Sequence, residues 1–145
     1  MTEIATPRPV TWIGSSRVDL RRFPLPVRRD VGQALYTAQR GKTDPAARPL
    51  RGFGGTRVME IVDRHDTNTY RAVYTAQFKE AVYVLHAFQK KSKRGIATPN
   101  SEIELIRRRL AEADLPTVFT FEGGYAVDAV GTNAVNLLEG FWQSV

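Results

Sequence analysis

Between Pro26 and Gly41 apolar residues return every three to four positions, and Val27, Val31, Ala34, Leu35 and Ala38 share one face. That period predicts a helix opened by Pro26, a tolerated first-turn residue, and stopped by Gly41. Ahead of it Val10 to Ile13 reads as a short strand, punctuated by Gly14-Ser15-Ser16. Ser16 and Asp19 have capping-box spacing, which predicts a short helix through Val18, Leu20 and Phe23 as far as Pro24. Lys42 to Pro49 gathers glycine, aspartate and two prolines and reads as a loop. The period then changes to two. Arg57 to Val62 alternates, Asp63 to Thr69 is a polar turn, and Tyr70 to Thr75 is aromatic and β-branched, so the three read as a hairpin. Val82 to Phe88 is a third strand. Pro99-Asn100-Ser101 opens a last helix, with Ser101 and Glu104 at capping-box spacing and Ile103, Ile106 and Leu110 as its buried stripe.

The expected architecture is α+β: a strand, two helices, a three-stranded antiparallel sheet and a helix, all within residues 1–112. After Leu115 a new pattern begins. Pro116 to Phe121 reads as a strand, Glu122-Gly123-Gly124-Tyr125 as a tight turn, and Ala126 to Phe141 as a helix with Val127, Val130, Ala134, Val135, Leu138 and Phe141 mostly on one side. Residues 113–145 are thus expected to form a strand-loop-helix appendage. Charge breaks at the same place. All 21 lysines and arginines lie at or before Arg109, against 11 acids in residues 1–112, a net of +10. The rest contains Asp114, Glu122, Asp128 and Glu139 and no cation, a net of −4.

Composition narrows the classes of function. At 145 residues, with 42% hydrophobic and 25% charged residues, the chain can bury an ordinary core. The absence of cysteine excludes disulfides, thiolate chemistry and Cys-based zinc sites. No apolar run approaches the roughly 20 residues that span a bilayer, and Met1 to Pro9 lacks a basic region followed by an apolar one, so a cytoplasmic protein with no membrane partner is expected. A net charge of +6 and a pI near 10.0 point to a polyanionic partner. The densest cations, Lys90, Lys91, Lys93 and Arg94, follow directly on the third strand, where a stiff backbone holds them for a phosphodiester.

Several separated stretches carry a resemblance: Pro49-Leu-Arg-Gly-Phe-Gly-Gly55, Val58-Met-Glu-Ile-Val62, Tyr70-Arg-Ala-Val-Tyr74, and Val84-Leu-His-Ala-Phe-Gln-Lys-Lys-Ser-Lys93, followed by Thr98-Pro99 and Glu102-Ile-Glu-Leu-Ile106. In this order, over about residues 8–112, they resemble the RelE/ParE toxin superfamily and its HigB-like, phage-derived branch. The resemblance implies a RelE-like fold and the toxin of a type II toxin–antitoxin pair: an mRNA endoribonuclease acting on ribosomes without a cofactor, neutralised by a helix-turn-helix antitoxin. Other outcomes are a gyrase-directed or purely binding relative and an inactive fusion product. Metal-free RNA cleavage needs a base for the 2′-hydroxyl, cations for the pentavalent phosphate and an acid for the leaving oxygen. Arg71 fits a bidentate phosphate clamp or a structural ion pair. His86 titrates near neutral pH, but on a strand face shared with Val82, Val84 and Phe88 it fits a core histidine as well. Lys90, Lys91 and Lys93 fit point charges, or the acid or base, or a solvated surface, and Arg94 a backbone contact. Arg51, beside a glycine-rich loop, either reaches a phosphate or stays a surface arginine. Tyr74, like Tyr70, either stacks on a base or packs in the sheet.

The tail resembles something else. Leu115-Pro-Thr-Val-Phe119, Glu122-Gly-Gly-Tyr-Ala-Val-Asp128 and Asn133-Ala-Val-Asn-Leu-Leu-Glu-Gly-Phe141 look like the last strand, glycine loop and helix of histone-deacetylase-like amidohydrolases, including the acetylpolyamine branch. In that family the tyrosine at the position of Tyr125 works beside zinc. This chain has neither an Asp-x-His pair nor a His-His pair, so no metal and no deacetylase activity are expected. A displaced apolar helix has a face to bury, which leaves three outcomes: docking on the toxin domain, self-association, or a frayed tail.

Overall fold

The computed structural model describes residues 6–53, 58–90 and 98–113. Lys91, Lys93, Arg94, Arg57 and the expected appendage from Asp114 onward lie outside the described residues.

Within them the chain runs β1 (Val10–Trp12), α1 (Ser16–Arg21), α2 (Leu25–Gln39), β2 (Ala47–Pro49), β3 (Val58–His65), β4 (Asn68–Thr75), β5 (Val82–Lys90) and α3 (Asn100–Glu112). The strands form one sheet in the order β1-β5-β4-β3-β2, with β1 parallel to β5 and every other pair antiparallel. The fold is the expected α+β arrangement, compatible with a compact RelE-like domain, with one strand more than the sequence pattern predicts. That strand is β2, inside the stretch read as a loop. It is a three-residue edge strand ending in Pro49, and an edge is where proline's missing donor is tolerated.

Two cores lie on opposite faces of the sheet. On one, the α2 stripe Val27, Val31, Ala34, Leu35 and Ala38 and the α1 residue Leu20 pack on Ile61, Tyr70, Ala72, Tyr74, Val82, Val84 and Ala87. Each fully buried valine or leucine contributes about 1.5–3 kcal/mol relative to exposure, so this face fixes where α2 sits. On the other, Ile106 and Leu110 of α3 pack on Leu50, Phe53, Val58, Val73 and Leu85, with Ile103 at the margin.

Three local expectations change. The hairpin turn is Asp66-Thr67 alone, both at positive φ (47° and 66°), which matches the strand twist and lets pairing continue to His65 and Asn68. The polarity of Asp63 to Thr69 reflects exposed strand ends, not a loop. Neither expected capping box forms: α3 begins after Pro99 without a side-chain cap, and it is Ser15 Oγ, not Ser16, that donates to Asp19, at 2.7 Å. Ser16 is buried and donates to the Val84 carbonyl at 3.1 Å. Finally, β5 contains a bulge. Val73 pairs with His86 and Tyr74 with Val84, which leaves Leu85 as an extra residue.

Candidate RNA-binding cleft

The bulge decides where the candidate residues point. Before it, Val82 and Val84 face the α2 core; after it, Leu85 and His86 both turn toward α3. His86 therefore shares its face with Phe88, on which its ring stacks at 4.9 Å between centroids and 17° between planes, and not with Val82 and Val84 as uninterrupted alternation predicts.

His86 is 5% exposed and both ring nitrogens are engaged. Arg109 donates from Nη1 to Nδ1 at 3.0 Å, so the ring proton lies on Nε2 and is donated to the Glu102 carboxylate. Burial lowers the His86 pKa; Glu102 acts against that shift and Arg109 with it. Arg109 also donates to the Leu85 carbonyl at 3.0 Å and to Ser15 Oγ at 2.9 Å. β1 pairs with β5 only as far as Val84, so this guanidinium satisfies the backbone oxygen of the bulge where the strand partner stops. Gly14 makes room for it: φ is +56°, and a Cβ there would stand 2.8 Å from Arg109 Nε. Asp19, Ser15, Arg109, His86 and Glu102 thus form one hydrogen-bonded chain from α1 through β5 to α3.

The other flank of α3 is open. A cleft of about 550 Å³ lies between the β2–β3 end of the sheet and α3, lined by Arg48, Arg51, Glu60, Thr98, Ile103 and Arg107 among others. Among the described residues Arg51 and Arg107 form no ion pair. Arg107 is held by the ring of Phe53, 5.5 Å from its guanidinium carbon, and Phe53 is anchored in the α3-side core. Gly52, at φ +90°, makes the turn that sends Phe53 inward and keeps Arg51 at the cleft. Glu60 accepts from Arg48 Nε at 2.8 Å, from Arg71 Nη1 at 2.8 Å and from Thr98 Oγ1 at 3.3 Å.

Arg71 is 2% exposed and sits behind Glu60, where it serves the ion-pair alternative. Lys90 ends β5 opposite Thr69, and alternation with His86 and Phe88 puts it on the α3 side. Tyr74 is 1% exposed in the α2 core, on the far face from the cleft, where burial followed by Asp44 pushes its pKa up to about 12. It packs and does not stack on a base: adjacent strand residues alternate in direction, and Arg71 and Tyr74 differ by an odd number of positions. In the sequence Arg48, Glu60, Glu102, Arg107 and Arg109 resemble ordinary helix and strand surface charges. The one available signal was register, since Glu60 alternates with Val58 in a strand whose inner face is apolar.

Among the described residues no helix is long and apolar enough to cross a membrane. The chain is similar to known proteins in two stretches. Over 33 residues, 23% of this chain, the sequence is 61% identical to acetylpolyamine amidohydrolase 1 of Pseudomonas aeruginosa; the chain spans only 10% of that protein, so the similarity is short and partial. The family model described as phage derived protein Gp49-like (DUF891) matches residues 18–111, which takes in α1 through nearly all of α3. On that match, covering more than half of its length, the chain belongs to the phage-derived Gp49-like family, a RelE-like family associated with the toxins of toxin–antitoxin pairs.

Proposed function

We propose that this protein is the toxin of a type II pair and an endoribonuclease that cuts mRNA on translating ribosomes, restrained by a helix-turn-helix antitoxin. The observation that carries the reading is the cleft in which Arg51 and Arg107, neither in an ion pair among the described residues, stand with the Glu60 carboxylate. Such cations are available to a phosphodiester, and in a partly enclosed site they stabilise the charge that develops on phosphorus. The 2′-oxygen attacks phosphorus, the bond to the 5′-oxygen breaks, and a 2′,3′-cyclic phosphate and a 5′-hydroxyl result. Glu60 is the carboxylate at hand for the 2′-hydroxyl proton: Arg48, Arg71 and Thr98 use three of its roughly four acceptor positions. Arg51 and Arg107 take the non-bridging oxygens. The basic run Lys90, Lys91, Lys93 and Arg94 supplies the backbone contacts and the proton for the leaving oxygen. His86 is a positioning residue in this scheme, because both its nitrogens are committed within the fold.

Primer extension on mRNA from translating ribosomes tests it. The purified protein is expected to give codon-dependent cuts, and Arg51→Ala/Arg107→Ala to slow them about 100-fold, the usual scale for losing a transition-state donor. Absence of cuts by the parent protein, or full activity in the double variant, defeats the proposal.

A further inference from the structure

Among the described residues the large exposed apolar side chains are Val18, Leu25 and Tyr36, and all three stand on α1 and α2. None of them lines the cleft. On α2 the helical period puts Leu25, Arg29, Gly32 and Tyr36, with Arg40 at the C-cap, in one outward stripe opposite the buried Val27, Val31, Ala34, Leu35 and Ala38. Arg40 lies 6.0 Å from the centre of the Tyr36 ring. Gly32 sits in the middle of this stripe, and nothing stands within 4 Å of the point a Cβ would occupy. Glycine inside a helix is destabilising relative to alanine, and bare backbone on an exposed face lets a second helix approach closely. Arg17, Arg21, Arg22 and Arg28 are exposed on or beside the same two helices. The acids there are engaged: Asp19 accepts from Ser15 Oγ at 2.7 Å and meets Arg22 at 3.9 Å, and Asp30 is hydrogen-bonded to Asp63 of β3. Arginine and tyrosine around exposed aliphatic side chains are the composition of a protein interface.

We propose that this face docks the chain's own acidic tail, residues 114–145, with the helix expected over residues 126–141 lying along the α2 stripe. Charge selects the tail first: it carries Asp114, Glu122, Asp128 and Glu139 and no cation, against the arginines of α1 and α2. A second copy of the same face would set arginine against arginine. Apolar pattern selects it next. Val127, Val130, Ala134, Leu138 and Phe141 recur every three to four positions, and Leu25, Tyr36 and Val18 give such a stripe a counterpart that the arginines of the cleft do not. The point of departure agrees. Arg109 in the last turn of α3 donates to Ser15 Oγ at the start of α1, and Ala113 follows one turn later, so the tail sets out beside α1. From there residues 114–125 can bridge up to about 40 Å, and a helix over residues 126–141 is about 24 Å long against about 22 Å from Leu25 to Arg40. A tethered segment meets its site at the high effective concentration its linker sets, so modest contacts suffice.

Hydrogen exchange of the full chain, read by mass spectrometry, tests the docking. In the parent the amides of residues 126–141 are expected to exchange at least about 100-fold more slowly than in an unstructured chain. Gly32→Glu puts bulk and a charge of the tail's own sign in the middle of the stripe, where a Cβ meets no neighbour. It is expected to speed that exchange at least about tenfold while the amides of α2 stay protected. Leu25→Ser/Tyr36→Ser is expected to act in the same direction by removing the apolar counterpart, and the cleft variant Arg51→Ala/Arg107→Ala to leave the rate within about twofold. Sedimentation of the same samples is expected to give a monomer wherever the tail is protected. A tail that exchanges freely in the parent, protection unchanged in both α2 variants, protection lost only in the cleft variant, or protection that appears only as the protein dimerises would overturn the proposal. No RNA enters these measurements, so the docking face and the nuclease fail separately.

Discussion

Arg107 and Arg109 stand two residues apart on α3, yet one lines an open cleft and the other is built into the sheet. On the Arg109 flank the guanidinium meets three acceptors: the Leu85 carbonyl, His86 Nδ1 and Ser15 Oγ. On the Arg107 flank a guanidinium is held by an aromatic ring and meets no carboxylate within ion-pair distance. The same residue type thus serves stability on one side and remains available to a ligand on the other. What separates them is 200° of helical rotation and the bulge that brings His86 round to meet Arg109.

Stability measurements give the largest separation. Arg109→Ala strips three acceptors of a buried donor and is expected to cost about 3 kcal/mol in urea unfolding of the full chain. Arg107→Ala is expected to cost about 1 kcal/mol or less, the worth of its ring contact, while it impairs RNA cleavage. Equal costs would erase the distinction between the flanks.

An intermediate effect is expected from pH. His86 is held neutral in the fold, mainly by burial, so its pKa lies below that of the unfolded chain. Below about pH 6.5 the unfolded state takes up a proton that the folded state resists. This contribution is complete above that pH and declines on acidification toward the lowered folded value, at up to about 1.4 kcal/mol per pH unit. His86→Gln is expected to flatten this part of the profile, measured by urea unfolding between pH 7 and pH 5. A profile as steep as the parent's would remove His86 from the account of the closed flank.

The smallest effect serves as a control on the other face of the sheet. Burial, and then the neighbouring Asp30, raise the Asp63 pKa. A raised carboxyl favours the fold at low pH and loses that contribution as pH rises through its folded value. Asp63→Asn is therefore expected to raise stability at pH 7 by about 0.5 kcal/mol and to give no gain in acid, with RNA cleavage unaltered. A loss of stability at pH 7 would mean that the pair supports the packing of α2 on β3.

The α2 stripe was legible because five apolar side chains on one 3.6-residue period leave little choice of what to bury, and all five are buried. β2 was not, because three residues ending in proline at a sheet edge have the composition of a loop. The candidate site was legible in its residue types and only partly in its geometry. Arg51 was named and lines the cleft, whereas Arg71 and His86 were named for chemistry and are held inside polar networks. Glu60 and Arg109 are not legible as site residues because burial of a charge depends on partners from other elements, which no local period records. The face of His86 differs from simple alternation for the same reason, since a bulge is visible only when two strands are paired.

One inserted residue therefore sets the phase of everything downstream of it. If Leu85 took a place in regular alternation instead of bulging, His86 would turn toward α2, Arg109 would lose its ring acceptor, and Lys90 would end the strand on the opposite face. The side on which Lys90 stands is decided five positions earlier, by a leucine that carries no charge.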